Sequence, residues 1–555
     1  MVNTAPFSAA TRTAMLAALP DEPLDLLIIG GGINGAGIAR DAAMRGIRTA
    51  LVDAGDFGWG TSSRSSRLIH GGLRYLEHGW LRLVFEASRE RRTLLRIAPH
   101  LVRPRAFIFP AFEGTRLKRW EISAGVWLYD ILALFRNVHA HRLLSRRGVL
   151  EREPLLRERG LKGGAQYWDA QTDDARLVLA TMRSAHAHGA RCLSYVRVTS
   201  LDKADGRVRG AELEDAFTGD RLRVKAHVVV NATGPWSDAL RRLDDPAAPP
   251  LLRNTKGAHI AVPQRRIGNR GAVTLLSPID GRVMFVLPWG DVTIVGTTDT
   301  DDPVSPDDVA ARPEDVLYLV RSANAIFPNA RLGVEDVIAA WAGLRPLLSN
   351  PGRDAGSVPR EHRIDSSPGG LVTIAGGKLT TYRAMAEQVV DLVAKRLRAL
   401  DRRTLPTHSA TALVPLPGGE VADLAALTEQ ITLEGLDAPA ATHLVALYGA
   451  EATAVAKLMV DDPALAAPLA PGLPWRAAEV VHQARREMAL TVSDVLIRRS
   501  HALHLCGARS ADLAGPVALL LQRELGWSDD RRDASARTYL VELERMRGAI
   551  TAPSA

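Results

Sequence analysis

Residues 26–35 read LLIIGGGING, and this stretch decides the fold. Leu26, Leu27, Ile28 and Ile29 form an apolar run with the length and composition of a parallel strand buried on both faces. The run stops at Gly30, and Gly30-x-Gly32-x-x-Gly35 opens a helical pattern through Ala36, Ile38, Ala39, Ala42 and Ala43. Glycine serves here for a tight turn, for close approach of the backbone to a pyrophosphate, and for helix–strand contact. The N–H groups and dipole of the helix start favour the phosphates. A second apolar run at residues 49–52 ends at Asp53, where a carboxylate holds ribose hydroxyls. An acid in that place suits a ribose without a 2′-phosphate, so FAD or NAD fits better than NADP.

A chain of 555 residues exceeds one ordinary core and points to two or three domains. The hydrophobic fraction of 46% and charged fraction of 24% match a globular protein in water. No run reaches the roughly 18 apolar residues of a membrane span, and the first residues lack the pattern of a secretory signal. Cys192 and Cys506 form no CxxC, and there is no HExxH or Cys/His cluster, so neither disulfides nor a metal are expected and a reducing cytoplasm is. The formal charge of +8 points to an anionic partner: nucleic acid, an acidic lipid surface or a phosphorylated metabolite. Arginines are spread along the chain without the aromatic interleaving of a nucleic-acid groove, so no nucleic-acid partner is expected. A high-GC coding bias yields the same excess of arginine.

Residues 1–23 read as an extension with one short helix at 9–19. GTSSRSSR at 60–67 has the hydroxyl density of a linker, but LIHGGLRYLE at 68–77 follows at once, which makes it a shaped loop able to reach a pyrophosphate or a ring system. Residues 122–135, ISAGVWLYDILALF, follow Arg116, Lys118 and Arg119; too short for a bilayer, they read as a buried helix or as an interfacial anchor. A helix at 177–188, a strand at 192–198, a hairpin turning at Asp205-Gly206 and a buried strand at 226–231 come next. Strands at 258–262, 273–276, 283–287 and 292–296 imply an antiparallel sheet beside the parallel one. Further strands are expected at 331–337 and 371–375, and a long helix at 380–400. Beyond 410, helical segments broken by Pro-Gly at 417–418 and 471–472 read as a separate domain.

In order, GGGINGAGIARDAAMRG, GTSSRSSRLIHGGLRYLE, VVNATGPWSD, IVGTTDT, GLRPLL and AGGKLTTYR strongly resemble the respiratory, FAD-dependent glycerol-3-phosphate dehydrogenases. The resemblance covers residues 24–400 and continues more loosely through REMALTVSDVLIRRS; the extension before residue 24 departs from it. It implies a mixed α/β, D-amino-acid-oxidase-like fold over residues 24–405. In that fold a Rossmann-like FAD-binding domain (about 24–100, 166–245 and 346–405) interleaves with an antiparallel substrate domain (about 101–165 and 246–345), and a helical domain follows at 410–555. Implied too are non-covalent FAD and oxidation of sn-glycerol 3-phosphate to dihydroxyacetone phosphate by hydride transfer from C2 to flavin N5. Electrons pass to membrane quinone, from a cytoplasmic homodimer held peripherally on the inner face of the cell membrane by anionic lipid. The alternatives are an oxygen-using oxidase of the same fold, a related amine or amino-acid oxidase, and a non-catalytic FAD- or NAD-binding regulator.

Carried onto this sequence, Gly30, Gly32, Ile33, Asn34 and Gly35 hold the pyrophosphate and Asp53 the ribose. By similarity, Thr61 and Ser62 meet phosphates or flavin, Leu68, Gly71 and Gly72 bring backbone to the ring, Val198 meets the adenine, and Ala232 and Gly234 form a second wall. Gly377, Lys378, Leu379 and Thr380 resemble a helix N-terminus aimed at the flavin O2/N1 side, a place to stabilise charge on reduced flavin. The family pattern gives the substrate dianion to Arg74, Tyr75, Arg345 and Lys378, since phosphate favours guanidinium forks and lysine. Arg345 sits in WAGLRP at 341–346, an apolar stretch that reads as a Gly/Pro-shaped turn. His259 serves as base or hydroxyl orienter, with Arg345 stabilising the alkoxide. His70 reads as a structural neighbour of the flavin, and Thr297-Thr298-Asp299 as a polar strand end at the site.

Overall fold

The computed structural model describes residues 4–72, 75–76, 79–133, 138–301, 304–349, 361–401 and 404–551. The run at 26–29 lies in the strand Leu24–Ile29, central in a sheet whose order is His362–Ser366, Val372–Gly376, Arg221–Asn231, Leu24–Ile29, Thr49–Val52 and Arg191–Leu193. Every pair from Val372–Gly376 to Arg191–Leu193 is parallel. Leu26, Leu27 and Ile28 are fully buried because helices cover both faces. The expected hairpin joins Val196–Ala204 to Arg207–Asp215, with Asp205 and Gly206 both at positive φ (49° and 71°).

A ten-stranded sheet carries the four strands expected between 253 and 300, and Leu252–Pro263 pairs with three of its other strands. Three differences from expectation concern its edges. Leu68–Ile69 pairs with Leu161–Thr172, so this sheet recruits residues assigned to the FAD-binding segments, and the latter strand crosses the expected boundary at 165–166. Residues 334–336 form a short 3-10 turn where a strand was expected. The strand is Ala339–Leu348, and WAGLRP is extended, because it pairs in register with Leu252–Pro263 along its whole length. Its proline falls at Asn254↔Pro346, near the strand's end.

The N-terminal extension is integral. Ala9–Ala17 is helical, Phe7 and Leu19 are buried, and Arg12 pairs with Asp215 at 2.8 Å. The C-terminal region is only partly separate. Leu424–Leu433, Ala438–Tyr448 and Ala452–Asp461 build a small core of their own. Leu496, Val517 and Tyr539 from the later helices, with Trp475 just before one of them, share a core with Tyr167 and Trp341 of the second sheet and with Tyr129. The stretch Ala438–Asp461 is long and apolar enough to cross a membrane, but it breaks at Gly449 and folds back on itself.

Arg119–Leu132 is an amphipathic helix, between the two readings of that segment. Ile122, Val126 and Tyr129 are buried, while Trp120 and Trp127 are 66% and 51% exposed.

Candidate active site

Where the parallel strands Leu24–Ile29, Thr49–Val52 and Arg221–Asn231 end, they enclose a cavity of about 670 Å³, the usual place for a ligand in an α/β sheet. Gly30, Gly32, Ile33, Asn34, Asp53, Thr61, Ser62, Val198, Ala232, Gly234, Gly377, Lys378 and Leu379 all line it. Gly30 has φ +110°, and a Cβ there would lie 2.6 Å from the Ala232 carbonyl oxygen, so glycine alone closes this turn. The Ser62 hydroxyl accepts the Ile33 N–H at 3.0 Å at the start of the helix Ile33–Met44. Asp53 accepts N–H from Gly31 (2.5 Å), Gly55 (2.9 Å) and the Trp59 indole (2.8 Å). Burial pushes its pKa up to about 6 against those three donors. A glycine turn, a helix start, a carboxylate and a second turn at Gly377 are the donor set that a flavin dinucleotide needs, and the residues fit FAD.

Five expected cofactor residues do not line this cavity. Gly35 packs on the Gly30 carbonyl. Leu68 joins the second core, because its strand belongs to that sheet. The Gly71 N–H goes to Tyr129 Oη (2.8 Å) and Asp169 (3.1 Å). Gly72 (φ +82°) leaves room for the Tyr75 ring, which an added Cβ would meet at 1.9 Å. The Thr380 hydroxyl receives the His70 N–H at 3.1 Å and so ties the two loops together.

A smaller cavity of about 190 Å³ adjoins, lined by Ser66, His70, Tyr75, Tyr167, Asp169, Arg282, Thr297, Asp299 and Arg345 among others. Lys378 bridges the two: it lines the larger cavity, and its Nζ lies 3.5 Å from the centre of the Tyr75 ring. Arg345 is held as a fork, donating to Thr297 Oγ1 (2.8 Å), the Thr298 carbonyl (3.1 Å) and Asp299 (3.2 Å). The next residue, Pro346, lines the larger cavity, so Ala339–Leu348 forms a wall common to both. Arg74 lies outside the described residues.

His259 is not on the surface of either cavity. Its Nε2 lies 2.8 Å from Ser66 Oγ, and Ser66 lines the smaller one. Burial, with the Arg345 and Arg67 cations, lowers its pKa to about 3. The imidazole is therefore neutral near pH 7, and it reaches the smaller cavity only through its contact with Ser66. Ser66, Asp169, Arg282 and Trp59 escaped sequence reasoning. Arg282 sits in a loop turn, and Ser66 is one serine among five hydroxyl residues at 61–66. Thr297 and Asp299, noted only as a polar strand end, are partners of Arg345.

Asp56, in the loop after Asp53, is fully buried against Arg498 and Arg499, and the arginines hold its carboxyl below the usual range.

The chain matches the family model described as FAD dependent oxidoreductase over residues 25–392, and that of the C-terminal domain of alpha-glycerophosphate oxidase over residues 409–532. It is 37% identical over 550 residues to the aerobic glycerol-3-phosphate dehydrogenase of Staphylococcus haemolyticus, with 97% of each chain covered. Identity to the glycerol-3-phosphate dehydrogenase of Synechocystis is 37% over 537 residues, 94% of this chain and 96% of the relative. The solved structure of the glycerol-3-phosphate dehydrogenase from Bacillus halodurans complexed with FAD aligns with a TM-score of 0.82 at 33% identity, covering 99% of this chain and 100% of that one.

Proposed function

The chain belongs to the FAD-dependent oxidoreductase family and carries a C-terminal domain of the alpha-glycerophosphate oxidase type, and from that premise we propose that it oxidises sn-glycerol 3-phosphate to dihydroxyacetone phosphate. The observation that carries this reading is the junction of the two cavities, where Lys378 meets Tyr75 beside the dinucleotide turn and Arg345 lines the same smaller cavity as Tyr75. Bound FAD supplies a two-electron hydride acceptor.

The chain's own residues do the rest. Gly30, Gly32, Ile33 and Asn34 present backbone and a helix start to the pyrophosphate, and Asp53 faces the ribose. Lys378 and Arg345 supply the positive charge for a small phosphorylated alcohol, Arg345 already set in a fork by Thr297 and Asp299. Arg74 joins them by family pattern. Ser66, backed by His259, faces the hydroxyl that loses its proton. Arg345 stabilises negative charge as it grows on that oxygen.

Electrons then leave to a membrane quinone, from a protein resting on the inner face of the cell membrane. The support is an exposed apolar face: Leu81, Phe85, Trp120, Trp127 and Ile131, on two helices in contact, are each 42–66% exposed, with Lys118 and Arg119 at the end of one helix. Such a basic-rimmed aromatic face suits an anionic lipid interface. Assembly as a homodimer belongs to the same reading, with Leu433 and Val460, 81% and 71% exposed, as an apolar surface on the C-terminal helices. Steady-state turnover of glycerol 3-phosphate with a soluble quinone analogue, compared with oxygen alone, tests the acceptor. Faster turnover with quinone is expected; peroxide formed at the same rate without it favours the oxidase.

A further inference from the structure

Behind His259 a line of buried rings runs from the smaller cavity into the C-terminal helices. His259 stacks on Trp341 with ring centres 5.4 Å apart and planes 12° from parallel. Trp341 meets His504 edge-on at 4.9 Å, and His504 lies 6.1 Å from His501. Arg67, with its Cζ 3.5 Å from the Trp289 ring centre, donates to His501 Nδ1 at 3.3 Å. That bond leaves the His501 proton on Nε2, which faces Asp173 at 2.8 Å.

Arg67, His259, Trp341 and His504 are each more than nine-tenths buried. Yet Arg67 Nε and Nη1, His259 Nδ1, Trp341 Nε1 and His504 Nδ1 meet no polar partner among the described residues. The arginine and indole nitrogens are donors only, so they cannot satisfy one another. A buried donor left unpaired is costly, and internal water is the usual remedy. Burial and the Arg67 cation also hold His504 neutral, leaving a ring nitrogen with a lone pair.

We propose that water held by Arg67, Trp341 and His504 takes up the proton released by the substrate, delivered through Ser66 and His259. The inference rests on the reading of the site as a glycerol 3-phosphate dehydrogenase. The C2–H bond breaks and its electron pair leaves as hydride to the cofactor, while the C2–O bond becomes a carbonyl. The hydroxyl proton passes to Ser66 Oγ as Ser66 gives its own to His259 Nε2, and His259 gives its Nδ1 proton to the water as that water hands one of its own along further water to solvent. Ser66 and His259 end in net neutral states, and solvent receives one proton. A weakly basic His259 passes a proton better than it keeps one. His504 and Trp341 are positioning residues supplied from outside the cavity, one of them by the C-terminal region.

The test uses FAD-loaded full-length protein carrying His504→Phe or Trp341→Phe, mixed anaerobically with glycerol 3-phosphate in H2O and in D2O. Unchanged FAD content is expected, with flavin reduction slowed by about tenfold or more and a larger solvent isotope effect on that step. His504→Gln, which keeps a polar group, restores most of the rate. If His504→Phe loses its fold or its FAD, Trp341→Phe, which keeps a ring and removes the N–H, decides. Wild-type rates and isotope effects in the Phe variants overturn the path and leave the substrate reading intact. A wild-type flavin that glycerol 3-phosphate does not bleach overturns both.

Discussion

Lys378 places its Nζ 3.5 Å from the centre of the Tyr75 ring, and the two residues belong to different cavities, one sized for a dinucleotide and the other for a small polar molecule. A cation on that boundary acts on both occupants. Lys378→Met keeps the length of the side chain and removes its charge. The expected outcome is a KM for glycerol 3-phosphate raised about tenfold or more with FAD still bound, since a hydrogen bond to a charged group contributes ~1.5–3 kcal/mol. Steady-state kinetics beside a flavin absorbance ratio checks it, and an unchanged KM removes Lys378 from the substrate list.

Arg345→Lys retains charge and loses the fork held by Thr297, Thr298 and Asp299. Single-turnover flavin reduction is expected to slow by about ten- to hundredfold, the effect of ~1.5–3 kcal/mol on a transition state. Near-wild-type reduction would show that charge alone suffices there.

Gly30→Ala demands φ +110° of a residue with a Cβ that lies 2.6 Å from a carbonyl oxygen. Backbone strain of this kind costs ~1–3 kcal/mol, on the side of the turn that meets the cofactor. The variant is expected to purify with less flavin than the wild type, read as the ratio of absorbance at 450 and 280 nm (about equal loading contradicts the turn's assigned role).

His259 has its pKa lowered from 6.5 to about 3, so the unfolded chain binds its proton more readily than the folded one between those values. Its contribution therefore makes stability rise with pH from about 3 to 6.5, and fall on acidification through the same window. His259→Gln, which does not titrate, is expected to flatten that part of the profile, measured as urea midpoints from pH 4 to 7. A profile of unchanged slope would place the imidazole in water. In the wild type, the pH dependence of flavin reduction is expected to show no limb at about 6.5 assignable to His259.

Trp120 and Trp127 stand on the exposed side of Arg119–Leu132. Replacing both with serine is expected to lower binding to anionic vesicles several-fold while leaving flavin reduction in solution unchanged, with co-sedimentation as the readout. Binding that survives the double change sends the contact surface elsewhere.

The dinucleotide turn was legible because its signals are local: an apolar run, three spaced glycines, a helix and Asp53 all fall within 28 residues of one another, from Leu26 to Asp53. The substrate side was legible only by resemblance, since an arginine among 70 basic residues carries no position in its own type. WAGLRP was misread as a turn because glycine and proline speak for turns locally, and pairing with Leu252–Pro263 overrides them. The Ser66–His259 contact joins residues 193 apart in the chain, and His504 reaches Trp341 from the C-terminal region. No spacing rule encodes such long-range meetings. The shared core of the late helices was hidden for the same reason: an amphipathic helix shows that it has a buried face but not what covers it.

The most direct measurement is anaerobic titration of the purified, FAD-loaded protein with sn-glycerol 3-phosphate, following flavin absorbance and assaying the product. Bleaching of the flavin with one equivalent of dihydroxyacetone phosphate formed per flavin is the predicted result. A flavin that stays oxidised under excess sn-glycerol 3-phosphate, yet bleaches with an amine or amino acid, would contradict the account.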